Sequence, residues 1–182
     1  SPALVIIVIA AALLEACDCL LLKVTCWRAL IGGRVKSAGP LAAVCVVAPH
    51  PPLPLLLLLL AWLICWEIGG QNIPADWNDV AEDERVGART IPLTFGPRVA
   101  GALVVLALTL AVVLSLFLPR MSPLALGAPY RLASAAAGLF LLLLPGLRLL
   151  RARDSREAAR LFDRASHYPL ALLAIITVFV LV

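Results

Sequence analysis

The chain has 182 residues, of which 63% are hydrophobic and only 14% are charged, and its net charge is +4. Soluble domains are closer to half apolar and a quarter charged, so these values exclude a cytosolic globular protein, a disordered chain and a disulfide-stapled secreted domain. The basic excess lies in loops between apolar runs, without the interleaved aromatic residues of a nucleic-acid surface. We therefore expect the lipid bilayer to be the main partner of the chain, and we expect no nucleic-acid partner.

Apolar runs along the chain predict about six membrane-spanning helices. A span needs roughly 20 mainly apolar residues, and four runs qualify clearly: 3–22, 53–68, 99–118 and 132–149. The short run 38–48 becomes a span only if its helix begins near Trp27 and takes Arg34 and Lys36 into its first turns. The last run, 170–182, is about half a span by itself. The runs lack the alternation of a barrel, so the prediction is an all-α, multi-pass transmembrane bundle forming a single domain over residues 1–182.

The basic residues sort between the two sides of such a bundle. With six helices, one side carries thirteen of the fifteen Lys and Arg residues, and the other side carries only Arg120 and Arg131. Cytoplasmic loops of membrane proteins carry the excess of Lys and Arg. The side with thirteen basic residues is therefore predicted to be cytoplasmic.

The polar segment 69–97 lies between two clear spans, on the predicted cytoplasmic side. A proline near its start and a glycine further on predict a helix over residues 74–87. On a helix of about 100° per residue, the side chains of Asp76, Asp79 and Asp83 share one narrow face. Like charges so arranged repel, and a hard divalent cation such as Mg²⁺ would remove that repulsion. The spacing alone leaves two interpretations open, a metal site and a solvated acidic face.

Two ionisable residues, Glu15 and Asp18, lie inside the first apolar run. Ionisable side chains inside a membrane span indicate a functional site by default. However, Asp18 is only about one turn from the predicted cytoplasmic end and could instead pair locally with Lys23. Both interpretations stay open.

The polar segment resembles a known family. Asp79 and Asp83 form a D-x-x-x-D pattern that is followed by Gly87, Arg89 and Thr90. This arrangement looks like the second aspartate-rich motif of the UbiA-type intramembrane prenyltransferases, in which a glycine, a basic residue and a threonine follow the second aspartate.

Two further segments are similar to the same family. Residues 21–41, which contain Lys23, resemble the end of the family's fourth helix and the start of its fifth. Residues 159–169 resemble the segment that leads into its last helix. The family usually has a basic residue after the matching lysine, whereas Val24 follows Lys23 here. The matches cover most of the chain in the right order.

The resemblance implies a nine-helix bundle, of which this chain would supply the last six helices. It also implies an enzyme that uses Mg²⁺ to transfer a prenyl group from a prenyl diphosphate to a lipophilic acceptor, such as an aromatic precursor, within the membrane. The motif match makes Asp79 and Asp83 the catalytic ligands of the metal and diphosphate, and Lys23 and Arg89 the phosphate-binding cations. Helical geometry adds Asp76 as a metal ligand. Asn72, beside the motif, is a candidate either for contact with the metal-bound diphosphate or for a helix cap.

The family's first aspartate-rich motif is absent from these 182 residues. We therefore expect the chain to be the C-terminal part of a longer protein, and we expect residues 1–182 alone to be inactive. CDP-alcohol phosphotransferases have a comparable acidic signature, but the upstream D-G-x-x-A-R part of their pattern is missing here. A non-catalytic membrane module or a fragment of a cation transporter is the remaining alternative. A transporter would place its carboxylates near the bilayer midplane, often in internal repeats.

Overall fold

The structure is a computed structural model that describes residues 2–48, 50–121 and 126–181. In these ranges the chain is helical and contains no strand. Short 3₁₀ or π turns continue several of the helices. The α-helices, in chain order, are α1 (Pro2–Leu21), α2 (Ala29–Val47), α3 (Leu53–Glu67), α4 (Ile73–Asn78), α5 (Val80–Val86), α6 (Ile91–Phe117), α7 (Ala128–Gly138), α8 (Leu144–Ala152), α9 (Ser155–Ser166) and α10 (Tyr168–Leu181).

Five helical segments within the described residues are long and apolar enough to cross a bilayer, which confirms the predicted multi-pass helical bundle. The helix that contains Arg34 and Lys36 begins at Cys26, close to the predicted start. α1 covers 20 residues, about the length that a span requires. The five segments are Cys26–Val47, Leu53–Asn78, Ile91–Met121, Ala128–Ala152 and Ser155–Leu181.

Prolines, a glycine and an aspartate set several helix ends. Pro54 and Pro92 lie in the first turns of α3 and α6, where the missing N–H group costs no hydrogen bond. Gly87 ends α5 with a φ of 71°, a left-handed conformation that glycine adopts without steric penalty. Asp154 caps α9 by accepting a hydrogen bond from the backbone N–H of Glu157 at 2.8 Å.

The apolar core lies around α6. Ala100, Val104 and Leu108 recur at a helical interval and are fully buried. α7 approaches this helix so closely that a Cβ atom on Gly138 would lie 2.5 Å from Cγ2 of Val112. Contact between α6 and α7 therefore depends on the absence of a side chain at residue 138.

A π turn, Ile68–Asn72, joins α3 to α4. Its backbone lies directly against α9, since a Cβ atom on Gly70 would be 2.8 Å from the Cβ of Ala165. Trp66 strengthens this contact, because its Nε1 donates to the backbone oxygen of Ala165 at 2.9 Å. The short helix that carries the first motif aspartate is thereby fixed against α9.

The turn after α1 and the loop after α5 lie at the same end of the bundle. The backbone N–H of Arg89 donates to the oxygen of Leu22 at 2.8 Å, which joins the two segments. α4 and α9 pack together at that end as well. This arrangement agrees with the predicted alternation of loops between two sides.

Candidate functional site

A polar cavity of about 180 Å³ lies among α1, the start of α2 and α4. Both cations and carboxylates line it, and its wall includes part of the motif segment. The polar side chains in its wall are Glu15, Asp18, Arg28, Lys36, Asn72 and Asp76. Ionisable groups gathered near the end of membrane-spanning helices indicate a functional site.

Arg28 lies at the centre of this cavity wall. Its Nη1 atom is 3.2 Å from Oδ2 of Asp18, and its Nη2 atom is 3.4 Å from Oδ1 of Asp76. The Arg28 side chain is 19% exposed, and both aspartate side chains are 17% exposed. Asp18 therefore pairs with Arg28, and not with Lys23 as the local alternative supposed. Asp18 also lines the polar cavity, so the functional interpretation of this residue stays a prediction.

The helix predicted over residues 74–87 is interrupted, and that prediction was wrong. Asp79, with φ of −99° and ψ of 9°, separates α4 from α5. α4 buries Ile73 and Trp77 against the core, whereas α5 buries no residue. The packing of α4 fixes its direction, so Asp76 faces the cavity while Asp79 is exposed at the break.

Asp76 and the two motif aspartates, Asp79 and Asp83, therefore differ in environment, although they stay within electrostatic range of one another. Asp83 is partly buried, and its Oδ2 atom has no hydrogen-bond partner among the described residues. Burial raises the pKa of the Asp83 carboxyl, the charge of Arg28 opposes that change, and the charge of Asp79 adds to it. An unpartnered, partly desolvated carboxylate costs free energy, and a bound cation would offset that cost.

Across the described ranges, no group of three or more His, Cys, Asp or Glu side chains is arranged to hold a metal ion. Mg²⁺ does not require such a cage, since it is usually held by one or two carboxylates together with substrate phosphates and water. Asp83 Oδ2 and Asp18 Oδ1 are both buried and unpartnered within the described structure. Carboxylate oxygens are the hard ligands that Mg²⁺ prefers, so the chemistry of these residues fits the ion.

The two predicted phosphate-binding cations come from segments that lie side by side. The backbone N–H and Nη1 of Arg89 donate to the oxygens of Leu22 and Val24, at 2.8 and 3.2 Å. Lys23, between these two acceptors, is exposed. The structure thus brings Lys23 and Arg89 to the same loop pair beside the motif.

Asn72 contributes to the site in a way that the sequence did not reveal. Its Nδ2 donates to the backbone oxygen of Ala29 at 3.2 Å, which ties the π turn to the start of α2. It makes no side-chain capping bond to α4. Gly32 leaves room beside it, since a Cβ atom there would be 3.4 Å from Nδ2 of Asn72.

Sequence reasoning missed two cationic residues of this cavity, Arg28 and Lys36, as site components. Lys36 Nζ lies 2.5 Å from Oε1 of Glu67, and the Glu67 side chain is only 2% exposed. Both residues of this pair belong to apolar helical segments. The rarity of ionisable residues in such segments was the available signal.

An apolar cavity of about 250 Å³ adjoins the polar one. Ala29 lines both cavities, so they meet at this residue. The apolar cavity lies among α2, α3 and α6, and the side chains in its wall include Trp27, Leu30, Ile64, Ile73, Leu103 and Leu106. The site therefore pairs a charged end with a hydrocarbon-like end, which suits a ligand with a polar head and an apolar chain.

Comparison with known protein families places this sequence in a family. Comparisons with curated proteins and with solved structures give no significant match. A comparison with protein families matches residues 1–179 to the UbiA prenyltransferase family. Since this match covers nearly the whole sequence, the chain belongs to the UbiA prenyltransferase family.

Proposed function

We propose that this protein transfers a prenyl group from a prenyl diphosphate to a lipophilic acceptor within the membrane, with Mg²⁺ as cofactor. The observation that carries the proposal is the junction at Ala29, where a cavity lined by carboxylates and cations meets an apolar one. Family membership supports the same reaction class. The acidic motif and the neighbouring cations match the head of such a donor, and the apolar cavity matches its chain.

The aspartates of the motif segment would each have a role in binding the metal and the diphosphate. Asp79 and Asp83 would hold the metal together with the diphosphate oxygens, and Asp76 would complete the carboxylate set. When bound, Mg²⁺ would stabilise the negative charge that develops on the departing diphosphate. Lys23 and Arg89, on the adjoining loops, would add positive charge at the same place. These cations favour cleavage because the charge they neutralise grows in the transition state.

The apolar cavity would hold the isoprenoid chain and protect the reacting carbon. Its wall is almost entirely hydrocarbon and aromatic. Trp27 and Ile73 in this wall are sequence neighbours of Arg28 and Asn72, which line the polar cavity. Exclusion of water leaves the acceptor as the available nucleophile for the allylic carbon. Asn72 would orient the head group from the wall that it shares with Ala29.

The orientation of the site in the membrane is part of the proposal. The end that carries the motif also carries the connection between α8 and α9, which is rich in arginine. By the positive-inside rule this end faces the cytoplasm. A tag placed within residues 151–160 should then be protected from an external protease in intact cells, whereas a tag after Val182 should be accessible. Protection or cleavage of both tags together would contradict this topology.

The test of the reaction is transfer of radiolabel from allylic diphosphates of several chain lengths to a panel of aromatic acceptors. It uses membranes that contain residues 1–182 preceded by about three helices with the family's first aspartate-rich motif, because residues 1–182 alone are expected to be inactive. Labelled lipid product should form with Mg²⁺, disappear with EDTA and return when Mg²⁺ is restored. Membranes without the protein provide the control. Product formation that is insensitive to EDTA would contradict the proposed role of the metal. Binding of Mg²⁺ without formation of any prenyl product would favour a non-catalytic membrane module.

A further inference from the structure

Arg28 connects a residue of the motif to a residue outside it. Nη1 contacts Asp18 on α1, and Nη2 contacts Asp76 on α4, at 3.2 and 3.4 Å. Charge-assisted hydrogen bonds of arginine to carboxylate are usually about 2.7–2.9 Å long, so both contacts are loose. The Nε atom of Arg28 is buried and has no partner within the described part of the chain. The guanidinium is therefore held between two carboxylates without using its full bonding capacity.

Arg28 also lies where it would compete with a metal ion for the same carboxylates. Its Nη2 atom contacts Asp76 directly, and its charge opposes the rise in the pKa of the Asp83 carboxyl. A divalent cation bound by the same carboxylates would repel the guanidinium and would take over its neutralising role. Asp18, which lies on a different helix, would still provide Arg28 with a partner.

We propose that Arg28 is an exchangeable counter-ion of the aspartate motif: it neutralises Asp76 while the metal is absent, and it moves to the diphosphate of the donor when the metal binds. The inference rests on the proposed function and adds a residue to it. The planar guanidinium presents paired N–H donors that match two phosphate oxygens. Asp18 would retain the arginine at the cavity wall during the exchange, which makes Asp18 a positioning residue.

A purely structural role for Arg28 makes a different prediction. In that case the arginine only fastens the start of α2 to α4, and its removal would loosen the motif. The affinity for metal would then fall or stay the same. An exchangeable counter-ion competes with the metal, so its removal raises the affinity for metal while it lowers the affinity for diphosphate.

The experiment measures both affinities with purified protein in lipid nanodiscs. Binding of Mn²⁺, a paramagnetic substitute for Mg²⁺, is followed by electron paramagnetic resonance, and binding of inorganic pyrophosphate at saturating Mn²⁺ is followed by calorimetry. Arg28→Gln should bind Mn²⁺ about tenfold more tightly than the parent, because one repelling charge is removed. The same variant should bind pyrophosphate at least about tenfold more weakly, because a bidentate contact is lost.

Arg85→Gln provides the matched control. Arg85 lies in α5, is largely exposed and contacts Glu82 on the surface. Its substitution should leave both affinities within about twofold of the parent. Arg28→Lys keeps the charge and loses the fork, so it should bind Mn²⁺ like the parent and bind pyrophosphate more weakly.

The outcomes separate this inference from the proposed function. Unchanged or weaker Mn²⁺ binding in Arg28→Gln, with the thermal unfolding temperature preserved, would overturn the exchange. If Arg28→Gln does not fold, parent-like pyrophosphate affinity in Arg28→Lys would overturn it equally. If the parent itself fails to bind pyrophosphate in the presence of Mn²⁺, the proposed function fails together with its refinement.

Discussion

The two halves of the molecule are held together by different forces. Around α1, α2 and α4, charged pairs surround a cavity, and Arg28 contacts two carboxylates over more than 3 Å. Around α6, α7 and α10, the contacts are close and apolar, and the buried hydroxyl of Tyr168 donates to Oγ of Ser115 at 2.9 Å. The difference indicates that the second half is a rigid support, whereas the first half has spare bonding capacity for ligands.

The largest expected effect sharpens this comparison within the charged half. In a protein that carries both aspartate-rich motifs, Asp79→Asn or Asp83→Asn should reduce prenyl transfer by about 10²–10³-fold, since each removes a charged group at the site where charge develops. Initial rates at saturating Mg²⁺ and donor check this expectation. Rates equal to the parent would show that the motif is only a solvated acidic surface.

Glu82→Gln and Glu84→Gln are the matched controls for those variants. Both glutamates are exposed in the same short helix, and Glu82 contacts Arg85 on its surface. Their substitution should change the rate less than about threefold, because a surface ion pair contributes little. A loss as large as that of Asp83→Asn would mean that the total charge of α5, and not particular ligands, matters.

The second prediction concerns the close-packed half. Gly138→Ala would place a Cβ atom 2.5 Å from Cγ2 and 2.8 Å from Cγ1 of Val112. The valine side chain has little rotameric freedom in a helix, so the helices must move apart. We expect a loss of about 1–3 kcal/mol in the free energy of unfolding, measured by thermal unfolding in detergent.

Gly39→Ala is the control for this overpacking. A Cβ atom on Gly39, in α2, would have no neighbour within 4 Å. Only backbone effects remain, since the better helix propensity of alanine is opposed by the restriction that Pro40 places on the residue before it. We therefore expect a net change in the free energy of unfolding of about 1 kcal/mol or less. Equal losses in the two variants would contradict the idea that the two halves differ in packing.

The smallest effect concerns the contribution of the Lys36–Glu67 ion pair to the free energy of unfolding. Lys36→Gln leaves the buried Glu67 carboxylate without its cation, although the exposure of Lys36 moderates the cost. We expect a loss of about 1–2 kcal/mol, and the double variant with Glu67→Gln should recover most of it. Arg34→Gln, two residues earlier and exposed, should have no measurable effect on unfolding.

Much of this architecture could be predicted from the sequence, because apolar runs and prolines determine helices locally. The start of the second helix near Trp27 and the helix end at Gly87 were both predicted correctly. The interruption at Asp79 could not be predicted, because no glycine or proline marks it. Ile73 and Trp77 before it are buried, whereas α5 after it buries no residue. Helical periodicity had placed three aspartates on one face, and tertiary packing gave each a different environment.

Only those residues of the candidate site that belong to a recognisable sequence motif could be predicted. Asp79, Asp83, Lys23 and Arg89 were named from pattern, and the structure places their segments at one end of the bundle. Arg28 was not identified, because its partners are ten and forty-eight residues away along the chain. A contact between distant segments leaves no periodic signal in a single sequence.

The contact of α9 with the π turn bears on the depth that the motif would have in a bilayer. α9 is rich in charged residues, so it favours the plane of the lipid head groups over the hydrocarbon. Trp66 and Gln71 donate hydrogen bonds to its backbone, at 2.9 and 3.3 Å. In a bilayer, these contacts would hold the segment that leads to Asp76 close to the lipid phosphates. An amphiphilic donor in the same leaflet would carry its own phosphates at that level.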